Sequence, residues 1–141
     1  MTVEIRKIAL CCLVVLTGLG AFSATALAQN DAKVFELRTY TATPGNLDKL
    51  LTRFRDHTMR IFEKHGMTNI AYWVPTDEEE SANTLVYILS HESREHADRS
   101  WQAFSQDPEW QKVNEESNAD GAILAGVVRK YMTTTDFSPM K

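Results

Sequence analysis

The chain has 141 residues and a formal net charge of −4, and its lysine and arginine residues form no cluster. Proteins that bind nucleic acid normally present a basic surface that neutralises phosphates, so this composition argues against nucleic-acid binding. The length suits one domain, large enough to bury roughly two thirds of the surface that its unfolded chain exposes.

The first 28 residues differ in kind from the rest. Two basic residues precede an apolar run over residues 8–19, and small residues ending at Ala28 follow. This order is typical of a secretory signal peptide, and the apolar run is shorter than the roughly 20 residues of a membrane-spanning helix. We expect cleavage before Gln29, a mature domain of residues 29–141, and a periplasmic or secreted protein without a stable membrane anchor. The alternative is a leader retained as an anchor.

The two cysteines, Cys11 and Cys12, lie inside that apolar run. A chain cleaved before Gln29 therefore has no thiol, which argues against thiol catalysis, zinc–thiolate sites and iron–sulfur clusters. No two histidines have the i, i+4 spacing of a helical metal-binding pair. We expect no metal site and no cofactor.

The segment from Val34 to Gly66 predicts a strand, a turn and a helix. Polarity alternates along it up to Pro44-Gly45, and apolar residues then recur at the three-and-four spacing of a helix. Arg53 falls on the polar side of that helix.

The alternation assigns the strand residues to two faces of a sheet. The face expected to pack against the helix carries Phe35 and Leu37, and the opposite face carries Glu36, Arg38 and Tyr40.

Further strands are predicted at residues 67–74, 84–90 and 123–132 from β-branched and aromatic runs bounded by glycine, proline or polar residues. Ser93 is a predicted N-cap for a helix over residues 94–105, and Asp107 caps another helix, with Pro108 at its first position. The acidic run at residues 77–80 predicts a solvated turn rather than a metal site. The order strand, helix, strand, strand, helix, strand is that of a ferredoxin-like α+β fold with an antiparallel sheet.

In such a fold the helices cover one face of the sheet, and the other face is predicted to be apolar. The residues expected there are Tyr40, one of Tyr72 and Trp73, Tyr87, and alternate residues of 123–132. A patch of this size is unusual on the surface of a monomer. We therefore expect a homodimer in which two sheets pack face to face and enclose a barrel.

Several motifs together resemble the NIPSNAP family. They are Phe35-Glu36-Leu37-Arg38-Thr39-Tyr40, Pro44-Gly45, His65-Gly66, Tyr72-Trp73, Asp107-Pro108-Glu109-Trp110 and Phe137-Ser138-Pro139. The resemblance covers essentially the whole chain after residue 28 and implies a dimeric α/β barrel. Related proteins with that fold include cofactor-free monooxygenases, haem-handling enzymes and small-molecule binders, so the fold alone does not specify an activity. Tyr87 and Leu89 depart from the family pattern, which often has a histidine and a tryptophan there.

The sequence predicts a ligand site inside the barrel and leaves the catalytic residues unknown. The expected ligand-binding residues are Glu36, Arg38, Tyr40, Trp73 and Tyr87. Arg38 either pairs with Glu36, two residues away on the same face, or holds the anionic group of a small molecule against which the aromatic side chains stack.

Two alternatives to simple ligand binding remain open. One is a cofactor-independent oxygenase or a haem-modifying enzyme, for which Tyr87 and His91 are the candidate base or ligand. The other is a protein-interaction module whose charged helix surfaces dock partners.

Overall fold

The computed structural model describes residues 33–140, which form a four-stranded antiparallel sheet with helices on one face. The expected leader, its cleavage point at Gln29 and both cysteines lie outside these residues. Strands β1 to β4 span Val34–Ala42, Thr68–Trp73, Thr84–His91 and Leu124–Met132. Helices α1 to α5 span Leu47–Arg53, Met59–Lys64, Glu78–Ser81, Arg94–Gln106 and Pro108–Ser117, and a π-helical segment, Phe54–Thr58, joins α1 to α2.

The topology confirms the predicted fold class. The strands lie in the spatial order β2-β3-β1-β4, and each neighbouring pair is antiparallel. Together with the chain order of strands and helices, this is the ferredoxin-like α+β arrangement. The acidic run forms the short exposed helix α3 instead of a simple turn. No helix within residues 33–140 is both long and apolar enough to cross a membrane.

The predicted helix ends are present. The Ser93 side chain accepts a hydrogen bond from a first-turn amide of α4 at 3.1 Å. Asp107 accepts one from a first-turn amide of α5 at 2.8 Å, and Pro108 occupies the first helical position. Gly66 follows α2 with φ of +75°, a conformation that favours glycine. These local signals explain why the helix ends predicted from the sequence agree with those of the structure.

The predicted position of Arg53 was wrong. This side chain is buried beside Phe54, although the helical periodicity places it on the polar side. The π-helical segment begins directly after Arg53, and the Thr58 hydroxyl donates a hydrogen bond to the Arg53 carbonyl at 3.2 Å. Arg53 precedes that segment and is covered by α5, since its Nη1 donates to Ser117 Oγ at 3.2 Å and its guanidinium carbon lies 5.2 Å from the Trp110 ring centroid.

The face assignment of β1 was also wrong. Glu36 accepts a hydrogen bond from Trp101 of α4, and the Tyr40 ring lies 5.7 Å from that of Phe54, so these strand residues lie under the helices. Phe35 lies on the opposite face, where it lines a small cavity with residues that follow β4. The charged residues can occupy the covered face because Glu36 and Arg38 neutralise each other there, and Glu36 has further polar partners in His91 and Trp101.

The same correction applies to the neighbouring strands. Tyr87 pairs with Arg38 in the β1–β3 register and lies among the aromatic rings under the helices, not on the open face. Tyr72 pairs with Tyr87 and stacks on it with ring centroids 5.2 Å apart, so it is also covered. Trp73 lies on the open face and is 50% exposed. The choice between Tyr72 and Trp73, which the sequence left open, is thus decided.

The open face of the sheet remains largely apolar. Its half-exposed or exposed apolar members are Leu37, Trp73, Val86, Ile88 and Val128, and Thr39 and Lys130 lie among them. Val128 is 59% exposed in the single chain. The open face is therefore a largely apolar surface, although it does not contain the tyrosines that the sequence placed there.

Candidate functional site

The most deeply buried charge among the described residues is the carboxylate of Glu36, which has no exposed surface. Its Oε1 accepts a hydrogen bond from Arg38 Nη1 at 3.0 Å. Its Oε2 lies 3.0 Å from His91 Nε2 and accepts a hydrogen bond from Trp101 Nε1 at 2.6 Å. Strand β1 contributes Glu36 and Arg38, β3 ends with His91, and α4 contributes Trp101. We call these four residues the Glu36 cluster.

The surroundings of Glu36 favour its charged form. Burial by itself raises the pKa of this carboxyl, but the hydrogen bonds from His91 and Trp101 and the charge of Arg38 together hold the pKa below its usual value. Glu36 is therefore ionised at neutral pH and paired with Arg38. This ion pair is the structural alternative that the sequence allowed for Arg38.

Arg38 is also packed between aromatic rings. Its guanidinium carbon lies 3.9 Å from the centroid of the Trp101 ring and 5.4 Å from that of Tyr40. Cations attract the faces of aromatic rings, most strongly where water is excluded. The salt bridge and the ring contacts hold the guanidinium in one orientation.

Four buried polar atoms at or beside this cluster have no hydrogen-bond partner of normal geometry in the part of the chain that is described. They are Arg38 Nε, Tyr87 Oη, His91 Nδ1 and His96 Nδ1, and the His96 ring centroid lies 6.3 Å from that of His91. Native proteins leave few such atoms, so each one calls for an explanation. Burial raises the pKa of Tyr87 well above its usual value, so its hydroxyl keeps its proton and can donate. Because His91 Nε2 faces an ionised carboxylate, its proton lies there and Nδ1 is an acceptor.

The cluster reaches the surface beside the edge strand β4. Tyr131 of β4 lies with its ring centroid 6.5 Å from that of His91, and the Arg94 guanidinium carbon lies 3.6 Å above the Tyr131 ring. Arg129 is the cross-strand partner of Arg38 and is exposed. Arg129 and Arg94 thus lie beside this end of the cluster, and Arg94 pairs there with Asp98 at 3.1 Å.

The structure brings together four of the five residues predicted for the ligand site. Glu36, Arg38, Tyr40 and Tyr87 lie on the covered face, and Trp73 lies on the opposite face of the sheet. The sequence analysis did not single out Trp101, and it considered His91 only as a possible base or ligand of an enzyme. The even spacing of Tyr87, Leu89 and His91 along β3 was a signal that His91 shares the face of Tyr87.

The chemistry of the cluster is that of hydrogen bonding and proton transfer. Within residues 33–140, no three histidine, aspartate or glutamate side chains come together as a metal site. Among the unpaired atoms, Arg38 Nε and Tyr87 Oη are donors and His91 Nδ1 is an acceptor. The Glu36 carboxylate holds the His91 imidazole in one tautomer. This arrangement can bind a polar group or accept a proton from it.

Comparison with known proteins decides the family. The sequence profile of NIPSNAP proteins matches residues 35–139, which cover most of the chain. The chain belongs to the NIPSNAP family. The resemblance drawn from the sequence motifs is therefore confirmed. A search of functionally curated proteins found no match.

Solved NIPSNAP structures have the same fold. A NIPSNAP-like domain protein from Burkholderia xenovorans is similar with a TM-score of 0.66 and 20% identity, over 77% of this chain and 90% of that one. A NIPSNAP family protein of unknown function from Agrobacterium tumefaciens is also similar, with a TM-score of 0.66 and 21% identity. The match covers 79% of this chain and 96% of that protein.

A structure from outside the family is also similar. SnoaB, a cofactor-independent oxygenase from Streptomyces nogalater, has a TM-score of 0.53 and 13% identity, over 77% of this chain and 98% of its own. At this level of identity the likeness extends to the fold and not to the activity.

Proposed function

We propose that this NIPSNAP protein binds a small, partly aromatic molecule at the Glu36 cluster, under the helices of each chain. The observation that carries the proposal is the set of unpartnered buried atoms, Arg38 Nε, Tyr87 Oη and His91 Nδ1. A ligand with a carbonyl oxygen and a hydroxyl group complements them, because the oxygen accepts from the two donors and the hydroxyl donates to the imidazole.

The charge of the cluster narrows the class of ligand. Glu36 already neutralises Arg38, so the part of the ligand that enters the cluster is uncharged. Arg94 pairs with Asp98, so it is Arg129, exposed beside this end of the cluster, that favours an acidic group at the outer end of the ligand. The proposed ligand is thus a hydroxylated aromatic acid or a molecule of similar chemistry, bound with its polar ring inward.

Replacing Tyr87 with phenylalanine tests this site. Because the Tyr87 hydroxyl makes no hydrogen bond of normal geometry and has only a contact with Tyr40 beside it, its removal is expected to change the stability of the free protein little. Affinity for the ligand is expected to fall by about 0.5–1.5 kcal/mol, the net value of one neutral hydrogen bond. Native mass spectrometry of protein purified from its own host identifies the retained ligand, and calorimetry with that ligand measures the loss.

The matched control is Tyr72→Phe. The Tyr72 ring stacks on that of Tyr87, but its hydroxyl donates to Asn69, so this variant is expected to lose stability and keep its affinity. Equal losses of stability in the two variants would show that Tyr87 has a structural role. Native spectra without any retained molecule, or equal affinities of the two variants for the retained molecule, would reject the site.

A second candidate function is catalysis with His91 as a general base. The ionised Glu36 holds the imidazole with its proton on Nε2, which leaves Nδ1 able to take a proton from a bound substrate. SnoaB, which shares the fold, is a cofactor-independent oxygenase. An oxygenase without a cofactor must activate its own substrate, and removing a proton is one way to do so. Oxygen consumption by the ligand-loaded protein should then disappear in His91→Gln and persist in His57→Gln, and its absence in the parent would exclude this activity.

The remaining alternative, a protein-interaction module, has less support. The charged side chains on the helices pair largely with one another, as Arg60 does with Glu109, Arg94 with Asp98 and Lys112 with Glu116. Such pairs are ordinary on a solvated helix surface.

We also propose that the protein is exported and works as a homodimer joined through the open face of the sheet. The leader-like composition of residues 1–28 supports export. N-terminal sequencing of protein from the extracytoplasmic fraction is expected to start within two residues of Gln29, and an intact Met1 in the membrane fraction would refute export.

The apolar open face supports the dimer, with a second copy of this chain as its occupant.

A further inference from the structure

A separate cavity of about 470 Å³ lies between α1, the π-helical segment and α5. It shares no residue with the Glu36 cluster. Arg53, Thr52 and His57 line it on one side, and Val113 and Ser117 line it on the other. Its volume is within the range that holds small organic ligands.

Arg53 gives this cavity its chemistry. The residue is only 4% exposed, yet no carboxylate of the described residues lies within salt-bridge distance of its guanidinium. Its Nη1 donates to Ser117 Oγ at 3.2 Å, its guanidinium carbon lies 5.2 Å from the Trp110 ring centroid, and its Nε has no partner. Burial lowers the pKa of Arg53, and nearby tyrosines only partly oppose this. Arg38, the other buried arginine, has a carboxylate at 3.0 Å.

We propose that this cavity binds the carboxylate of a small organic acid, with Arg53 as the anchoring residue. A planar guanidinium matches the two oxygens of a carboxylate, and a buried cation without a counter-ion gains most from such a partner. This is a second binding site, which goes beyond the function proposed for the Glu36 cluster and does not depend on it.

The rim of the cavity indicates the rest of the ligand. Asp48, Glu116 and Asp120 are exposed there, and Lys49 pairs with Asp120 at 3.4 Å. Two of these carboxylates pair with lysines, Asp120 with Lys49 and Glu116 with Lys112, and the negative charge of Asp48 disfavours a multiply charged anion such as phosphate. The carboxylates of the rim favour a ligand that carries one carboxylate inward and an amino group outward. The structure thus points to amino carboxylic acids as the class of ligand.

Nuclear magnetic resonance of the purified protein can test this site with simple probes. The probes are the ω-amino acids from glycine to 6-aminohexanoate, the unsubstituted acids of the same lengths, and inorganic phosphate. We expect saturable shifts of the Arg53 Nε–H and Trp110 Nε1–H resonances, with at least one amino acid binding more tightly than its unsubstituted analogue and phosphate binding most weakly. The absence of saturable shifts with every carboxylate, or tightest binding of phosphate, would overturn the proposal.

Variants separate a ligand anchor from a structural arginine. Arg53→Gln is expected to abolish the shift of Trp110 and to melt no lower than the parent, because the lost charge had no counter-ion. Arg60→Gln is the matched control, since Arg60 follows on the same helical stretch, is exposed and pairs with Glu109. It should bind the probes like the parent.

A further variant covers the case in which Arg53→Gln does not fold. Arg53→Lys keeps the charge and removes the planar fork, and we expect it to weaken binding by about tenfold. Unchanged probe affinity in Arg53→Lys or Arg53→Gln would refute the role of Arg53.

Discussion

Glu36→Ala is expected to lower the free energy of unfolding by about 3–5 kcal/mol, because the change leaves the buried Arg38 guanidinium without its counter-ion. It also removes the acceptor of the His91 and Trp101 hydrogen bonds. Urea denaturation at neutral pH measures the loss.

Two controls show whether the charge or the packing is responsible. Glu109→Ala removes the partner of Arg60 in a surface ion pair and is expected to cost far less than Glu36→Ala. The double variant Glu36→Gln with Arg38→Met replaces the ion pair by neutral groups of similar size, and should recover most of the lost stability. A loss below about 1 kcal/mol for Glu36→Ala would contradict the buried ion pair, since breaking one by removing a single partner normally costs several times more.

The pH dependence of stability follows from the same carboxylate. The pKa of Glu36 in the folded protein lies below its usual value of 4.5. A lowered folded pKa contributes stability that is fully present above the unfolded value and is lost as the pH falls through the folded value. The difference in stability between the parent and Glu36→Gln should therefore be constant near neutral pH and shrink below about pH 4.5. A difference that grows as the pH falls would have the wrong sign.

Light scattering at micromolar concentration is expected to report twice the chain mass, and Val128→Glu is expected to convert the protein to a monomer. Val128 lies on the open face and is 59% exposed in the single chain, so the substitution should not disturb the fold itself. A stable interface on this face buries on the order of 1,500 Å² in total. Each variant dimer would bury two carboxylates, which should raise the dissociation constant by at least about a hundredfold.

The adjacent residue provides the matched control. Val127 is 46% exposed and lies on the helix side of β4, because successive strand residues face opposite ways. Val127→Glu should remain a dimer. A monomeric parent, or dimers of both variants, would show that the open face is not the interface.

Local sequence signals determined the elements and their order. Alternation in β1, helical periodicity after Pro44, and the caps at Ser93 and Asp107 each depend on residues within a few positions of one another. The order of those elements predicted the ferredoxin-like fold, and the motifs from Phe35 to Pro139 predicted the family. These predictions needed no knowledge of distant contacts.

Only the tertiary structure decided which face of β1 is covered. Alternation separates Phe35 and Leu37 from Glu36 and Arg38, but it does not say which pair lies under the helices. The sequence analysis chose the apolar pair as the surface on which the helix packs, and burying a charge in its place is costly. That cost is offset here by His91 and Trp101, which lie 55 and 65 residues from Glu36 along the chain.

The two arginines illustrate the same limit. Arg38 and Arg53 are charged residues that sequence patterns place away from a helix-packed core, yet both are buried. A carboxylate on the same strand explains the first, and the packing of α5 over the end of α1 explains the second. The sequence determined which residues alternate and which elements form. Packing between distant elements decided where the charges lie, because the free energy of a buried charge depends on the partners that the fold brings to it.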